Sequence, residues 1–322
     1  MKKQIKKQTK KQTKKQNKSS KSNLLLGCHA SITPSILEGL QYAESIGATA
    51  TQIFLGSNRS ASLQMKTKLT ESQIQEIRSY LYKSKMCLLI HSIYLLNFCK
   101  APPTSGRVKY MHDNLMYDLT IGAQLGAKCV VLHLGFAVDI PIEVALKNLI
   151  ANLNYILERI PDGIKLALET SAGRKTELGY TLEQLTLIWN AIKHHGNKKV
   201  GICIDTAHIF VSGIDISSVE GIRNYMKHFQ KYIGWSNITN FHINDSRYEL
   251  GARKDEHRGI GTGLIFNTQE GKQSLKWIKT FAQNKKIPMI LETHGSAVPD
   301  SSSNHNRQLY GYEWEIKMIK YL

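Results

Sequence analysis

No run in the chain approaches the roughly 18 consecutive apolar residues that a helical membrane span needs. Only Leu24, Leu25 and Leu26 separate the basic start of the chain from Gly27, fewer than the roughly 7–15 apolar residues of an export signal. Cysteine is scarce as well. Cys28, Cys87, Cys99, Cys129 and Cys203 are odd in number and never closer than twelve positions, which argues against a disulfide framework. Together these absences predict an intracellular protein, cytoplasmic, nuclear or virion-borne, with reduced and mostly buried thiols and no membrane partner. Acidic residues are missing altogether from residues 1–23, where ten of the 43 basic residues stand. The rest of the chain carries 33 basic against 25 acidic residues, so the net charge of +18 divides into a +10 segment and a moderately basic +8 body.

The 1–23 segment repeats a four-residue lysine unit and has almost nothing apolar to bury, so it is expected to be a disordered, self-repelling tail. A basic arm that adds salt-sensitive nucleic-acid affinity, a nuclear address and a solvated spacer are its three readings. From residue 24 to 322 the composition is that of a chain with a real core, 42% hydrophobic over the whole sequence, and no linker breaks it. Short aliphatic runs alternate with segments of helical period. Eight strands are predicted, at 24–31, 49–55, 86–92, 129–135, 164–170, 200–206, 240–245 and 287–293, spaced 25 to 47 positions apart. Thr33 with Pro34 predicts a helix start, and Thr70 with Gln73 and Thr181 with Gln184 predict capping boxes. Eight such units argue for a single α/β domain over 24–322, a (β/α)8 TIM barrel, with an open doubly wound sheet as the structural alternative.

Polar residues interrupt the apolar runs at one end. His29, His91, His133, Glu169, Asp205, His242 and Glu292 each fall within three positions of the predicted C-terminal end of a strand, the end that forms the active-site mouth of such barrels. Their burial without a cation or substrate would be costly. His208, three positions after Asp205, lies one helical turn on, and Asp255 and His257, two apart, share a side on extended backbone. Imidazole and carboxylate without thiolate is the ligand set of catalytic zinc or manganese. Nine side chains, His91, His133, Glu169, Asp205, His208, His242, Asp255, His257 and Glu292, exceed one ion and suffice for about three, an arrangement suited to displacement at phosphorus.

The segments Val131-Leu132-His133-Leu134-Gly135, Cys203-Ile204-Asp205-Thr206-Ala207-His208, Phe241-His242-Ile243-Asn244-Asp245 and Asp255-Glu256-His257, with Leu89-Ile90-His91, Ala167-Leu168-Glu169-Thr170 and Ile290-Leu291-Glu292-Thr293, resemble in order the motifs of the endonuclease IV family of apurinic/apyrimidinic endonucleases. That resemblance implies a first zinc on His91, His133 and Glu169, a second on Glu169, Asp205, His242 and Glu292, and a third on His208, Asp255 and His257, with manganese as an alternative at one or more sites. It implies that Glu169 orients a hydroxide for attack on the phosphorus 5′ to an abasic deoxyribose in double-stranded DNA. The products would be a 3′-hydroxyl and a 5′-deoxyribose phosphate, as in base excision repair. Arg59 and Tyr94 would enter the DNA. The chain is expected to act as a monomer. Leu134 departs from the family's usual proline, and Thr170-Ser171 from its Asn-Thr pair. The competing class is a metal-dependent sugar isomerase or epimerase of the related xylose-isomerase-like barrels, whose metal set Glu169, Asp205, His242 and Glu292 resembles. Such an enzyme has no evident use for His208, Asp255 and His257 or for a lysine arm.

Overall fold

The computed structural model describes residues 24–57, 60, 62–192, 199–293 and 311–322. The tail 1–23 and Arg59 lie outside these residues. The strands are β1 (Leu26–His29), β2 (Ala50–Phe54), β3 (Cys87–His91), β4 (Cys129–Leu132), β5 (Lys165–Glu169), β6 (Val200–Asp205), β7 (Ile238–His242), a short antiparallel pair β8 (Asp245–Ser246) and β9 (His257–Arg258), and β10 (Met289–Leu291). All but the short pair close into one parallel barrel in the order β1-β10-β7-β6-β5-β4-β3-β2. Closure excludes the open doubly wound sheet and bears out the (β/α)8 reading.

Side chains alternate across each strand, and the two faces have different work. Outward residues such as Leu166 and Leu168 meet the surrounding helices, which bury matching stripes. The helix Ile142–Leu157 buries Ala145, Leu149, Leu153 and Ile156, a spacing of three and four that lays one apolar face on the barrel. Each fully buried leucine of this kind contributes about 1.5–3 kcal/mol. Inward residues are smaller. Ala50, Leu89, Cys129, Val131, Ala167, Cys203 and Ile290 fill the barrel's interior. The helix Gly106–Leu125 stops at Gly126, whose φ of 78° is the left-handed conformation that glycine adopts without penalty.

Most strands are shorter than the apolar runs that predict them, and other local details depart from the sequence reading as well. The first helix starts at Ile36, because Ser35 and not Thr33 caps it, its hydroxyl accepting from the Glu38 N–H at 3.2 Å. Thr70 and Gln73 form the full capping box, but the second is only half made. Thr181 accepts from the Gln184 N–H, whereas the Gln184 side chain turns to the N–H of Gly179. The seventh strand runs Ile238–His242, starting two residues and ending three residues earlier than expected. Thr239 joins it by donating its hydroxyl to the Ile202 carbonyl beside a bulge, and Asn244 and Asp245 leave it because their side chains serve the loops. Asp245 accepts N–H groups from Ser246, Gly261, Gly263, Ile265 and Phe266. No helix among the described residues is long and apolar enough to cross a membrane.

Candidate metal centre

One step of two residues beyond the inward apolar layer places the polar residues. Leu89 is followed by His91, Val131 by His133, Ala167 by Glu169, Cys203 by Asp205, and Ile290 by Glu292. These side chains therefore point to the axis at the C-terminal mouth. Asp205 is also the N-cap of the short helix Thr206–Val211. Its Oδ1 accepts from the His208 N–H at 2.9 Å, which turns His208 over the same mouth. Asp255 and His257 come from the excursion after β7, which β8 and β9 close. Two arginines tie that excursion to the loop after β5. Arg253 donates to the Gly173 carbonyl at 2.5 Å, and Arg174, gripped by Glu177 at 3.0 Å, meets Asp255 Oδ2 at 3.2 Å.

All nine residues converge, in overlapping sets. Glu169 Oε2 faces His91 Nε2 at 3.4 Å and His133 Nε2 at 3.2 Å. Its other oxygen lies 2.7 Å from His242 Nδ1, which is 3.0 Å from Glu292 Oε2. Asp255 Oδ1 faces His208 Nε2 at 3.2 Å and His257 Nε2 at 3.3 Å. Asp205 Oδ2 stands 3.8 Å from His242 Nδ1 and 3.7 Å from His257 Nε2, between the second set and the third. Four of the five groups of facing donors found among the described residues combine only these side chains, with donor atoms within 4.8 Å of one another; the fifth adds Cys203. Glu169 Oε2, His208 Nε2 and His257 Nε2 are buried and make no hydrogen bond. Ligands about 2.0–2.1 Å from a tetrahedral zinc lie about 3.4 Å from each other, so the 3.2–3.4 Å separations fit a metal's coordination edges better than hydrogen bonds.

The electrostatics favour a buried cation. Burial pushes the Glu169 carboxyl up, but His133 and His242 hold it well below the usual carboxylate range. Burial opposes a charge on His242 and His208, yet the surrounding groups lift both well above the usual imidazole range: Cys203, Glu292 and Glu169 around His242, Asp205 and Asp255 around His208. His257 rises to about 9 for the same reason, with Asp205 and Asp255 outweighing burial.

Histidine orientation depends on the far ring nitrogen. His91 Nδ1 is 2.6 Å from the Ser92 carbonyl and His208 Nδ1 2.8 Å from the Thr170 carbonyl, leaving Nε2 of each for the centre. Asn244 donates to Asp205 Oδ2 and accepts from the Glu292 N–H, so this motif residue fixes two carboxylates. Tyr94 is 55% exposed at the mouth, its ring 5.4 Å from both His91 and His133, and Leu95 beside it is 48% exposed. A cleft of about 500 Å³ runs from Tyr94 past Phe136 and Arg174 to His257. His29 stands at the end of β1 with Nδ1 3.6 Å from Glu292 and, like Asp255, is in none of the five groups, where Asp205 is the carboxylate beside His208 and His257. Gln52, Arg174 and Arg253 escape the sequence reading. Gln52 alone had a visible signal there, as the polar residue two past inward Ala50 on the one strand without an acid or histidine.

The description "Xylose isomerase-like TIM barrel" matches residues 40–308. A protein of Acanthamoeba polyphaga mimivirus named as an endonuclease 4 is 30% identical over 300 residues, 92% of this chain and 92% of its own length. The chain belongs to the endonuclease IV family. Its class is therefore that of the metal-dependent apurinic/apyrimidinic endonucleases. The endonuclease IV structure of Thermus thermophilus superposes with a TM-score of 0.70 at 23% identity, covering 92% of this chain and 97% of that one. A D-tagatose 3-epimerase-like protein superposes at 0.59 with 22% identity, over 83% of this chain and 90% of that one. Both structural likenesses speak for the barrel alone.

Proposed function

We propose that the chain is a DNA-repair endonuclease that cleaves the phosphodiester 5′ to an abasic site in duplex DNA, leaving a 3′-hydroxyl and a 5′-deoxyribose phosphate. The observation that carries this is the convergence of nine side chains into three adjoining donor sets, the first two sharing Glu169 and the last two flanking Asp205, beside exposed Tyr94 and Leu95. His91, His133 and Glu169 would hold one zinc or manganese ion, Glu169, Asp205, His242 and Glu292 a second, and His208, Asp255 and His257 a third. Bound there, the ions would activate a water as nucleophile and neutralise charge on the phosphate and the departing 3′ oxygen.

The protein's own part is placement. Glu169 spans the first two sets, one carboxylate oxygen toward each, so it can orient the attacking water while its burial keeps bulk solvent out. Arg174 brings a cation to the cleft beside Asp255. An abasic nucleotide has lost the stacking and pairing of its base and costs little to extrude. Tyr94, and Arg59 by its place in Gly56-Ser57-Asn58-Arg59, would fill the space it leaves. The ten lysines of residues 1–23 add phosphate affinity. One copy supplies every proposed ligand, in keeping with a monomer.

A sugar isomerase or epimerase on this barrel would use Glu169, Asp205, His242 and Glu292 but leave His208, Asp255 and His257 without a task. The test is incubation of metal-loaded protein with a duplex holding one abasic analogue, and with an aldose–ketose pair. A single nick 5′ to the analogue with the sugars unchanged is the expected result. Sugar interconversion with intact DNA would overturn the proposal.

A further inference from the structure

Four of the proposed histidine ligands have a partner on the ring nitrogen that faces away from the centre, and one of the four differs in kind. His91, His208 and His257 face the backbone carbonyls of Ser92, Thr170 and Glu292, at 2.6, 2.8 and 3.5 Å, which no side-chain substitution removes. His242 leans on a side chain. Its Nε2 lies 2.9 Å from Gln52 Oε1.

The other end of that amide is equally committed. Gln52 Nε2 donates to Glu292 Oε1 at 2.6 Å and lies 3.1 Å from His29 Nδ1. The amide's orientation follows from charge. Turned over, it would set its oxygen against the Glu292 carboxylate and an N–H against the N–H of His242. In the orientation observed, the two amide hydrogens go to Glu292 and to the His29 Nδ1 lone pair, and the amide oxygen accepts the Nε2–H of His242. That leaves Nδ1 as the nitrogen His242 can offer, and Nδ1 is the one facing Glu169, Glu292 and Asp205. Gln52 is fully buried, and its register partner on β1 is His29, so its reach to all three groups is set by the barrel itself.

We infer that Gln52 is the positioning residue of the second metal site, selecting His242 Nδ1 as the ligand atom and holding Glu292 beside it. The inference rests on the metal-site reading above. It assigns a task to the β2 strand, which supplies no ligand: β2 contributes the residue that aligns two ligands from β7 and from the end of β10.

The test uses the full chain with Gln52→Met, close in length but without the amide, and Gln52→Ala as a second variant. Metal-free forms are compared by thermal melting, zinc affinity is measured against a competing chelator, and cadmium-substituted forms are compared by 113Cd NMR. The parent chain is expected to bind about three ions and show three resonances. In either variant one ion should bind about 10- to 100-fold more weakly and one resonance shift or vanish, with the other two unchanged. Turnover of abasic duplex should fall in kcat with little change in KM. Folded variants that bind every ion with parental affinity and leave all three resonances in place would overturn the role of Gln52 alone. Equal weakening of all three ions would also overturn it, since that is general loosening. A parent chain that binds no zinc would overturn the metal-site reading and this inference with it.

Discussion

Glu169 shows how one buried side chain can serve two donor sets. Its oxygens face different histidines, and burial leaves it no alternative partner in solvent. Replacing it with Gln keeps the shape and removes the charge, so cleavage of abasic duplex should fall by at least about a hundredfold. The histidines set the pH dependence of the metal-free protein. His257 titrates near 9 in the folded chain against an ordinary 6.5. The folded state thus holds this proton more tightly than the unfolded one. In chelator-treated protein its stabilisation is complete below about pH 6.5 and is lost as pH rises through about 9, with His208 and His242 acting in the same direction. Melting temperature should therefore fall across that window, and zinc affinity should rise across it as proton competition fades. A flat melting profile between these pH values would contradict the electrostatic picture. The candidate ligand residues stood out in sequence because an imidazole or carboxylate at the end of an apolar run is conspicuous. Gln52 carried only a weak signal, its step of two from Ala50, because a neutral amide inside a strand looks like an ordinary buried polar residue.

At the scale of elements, what holds the mouth together is mostly loop-to-loop bonding that no local pattern announces. Strand number, order of elements and one full capping box could be read from periodicity and spacing. The Arg174–Asp255 and Arg253–Gly173 contacts could not, because they join loops some 80 residues apart. Arg253→Ala should therefore speed hydrogen exchange across 251–257 and weaken the ion assigned to His208, Asp255 and His257, leaving exchange in the barrel strands unaltered. A second long-range tie lies below the loop after β2. Lys66 Nζ is 2.7 Å from Asp118 Oδ1, with both side chains almost wholly buried. Burial pushes the Asp118 carboxyl up to about 6 even with Lys66 opposing it. Removing one partner strands a buried charge. Asp118→Ala should cost about 3–5 kcal/mol in denaturant unfolding, and Lys66→Met combined with Asp118→Leu distinctly less than the single change. Equal losses in the single and the double variant would show that the pair is not coupled.

Over the whole molecule, charge and chemistry are separated. The excess positive charge is concentrated in residues 1–23, whereas the candidate centre is built from carboxylates and histidines at the mouth of a body with a net charge of only +8. DNA affinity and bond cleavage should accordingly come apart. Deleting residues 1–23 should weaken binding at low salt and flatten the dependence of log affinity on log salt, while single-turnover cleavage at saturating enzyme persists. An unchanged slope would assign the segment to spacing or addressing.

The measurement that bears most directly on the central claim is single-turnover cleavage of an abasic-site duplex as zinc is returned stepwise to the chelated full chain. Cleavage 5′ to the lesion should be absent without metal and reach its plateau only near three equivalents per chain. Full cleavage by the chelated protein, or an intact duplex at every loading, would contradict it.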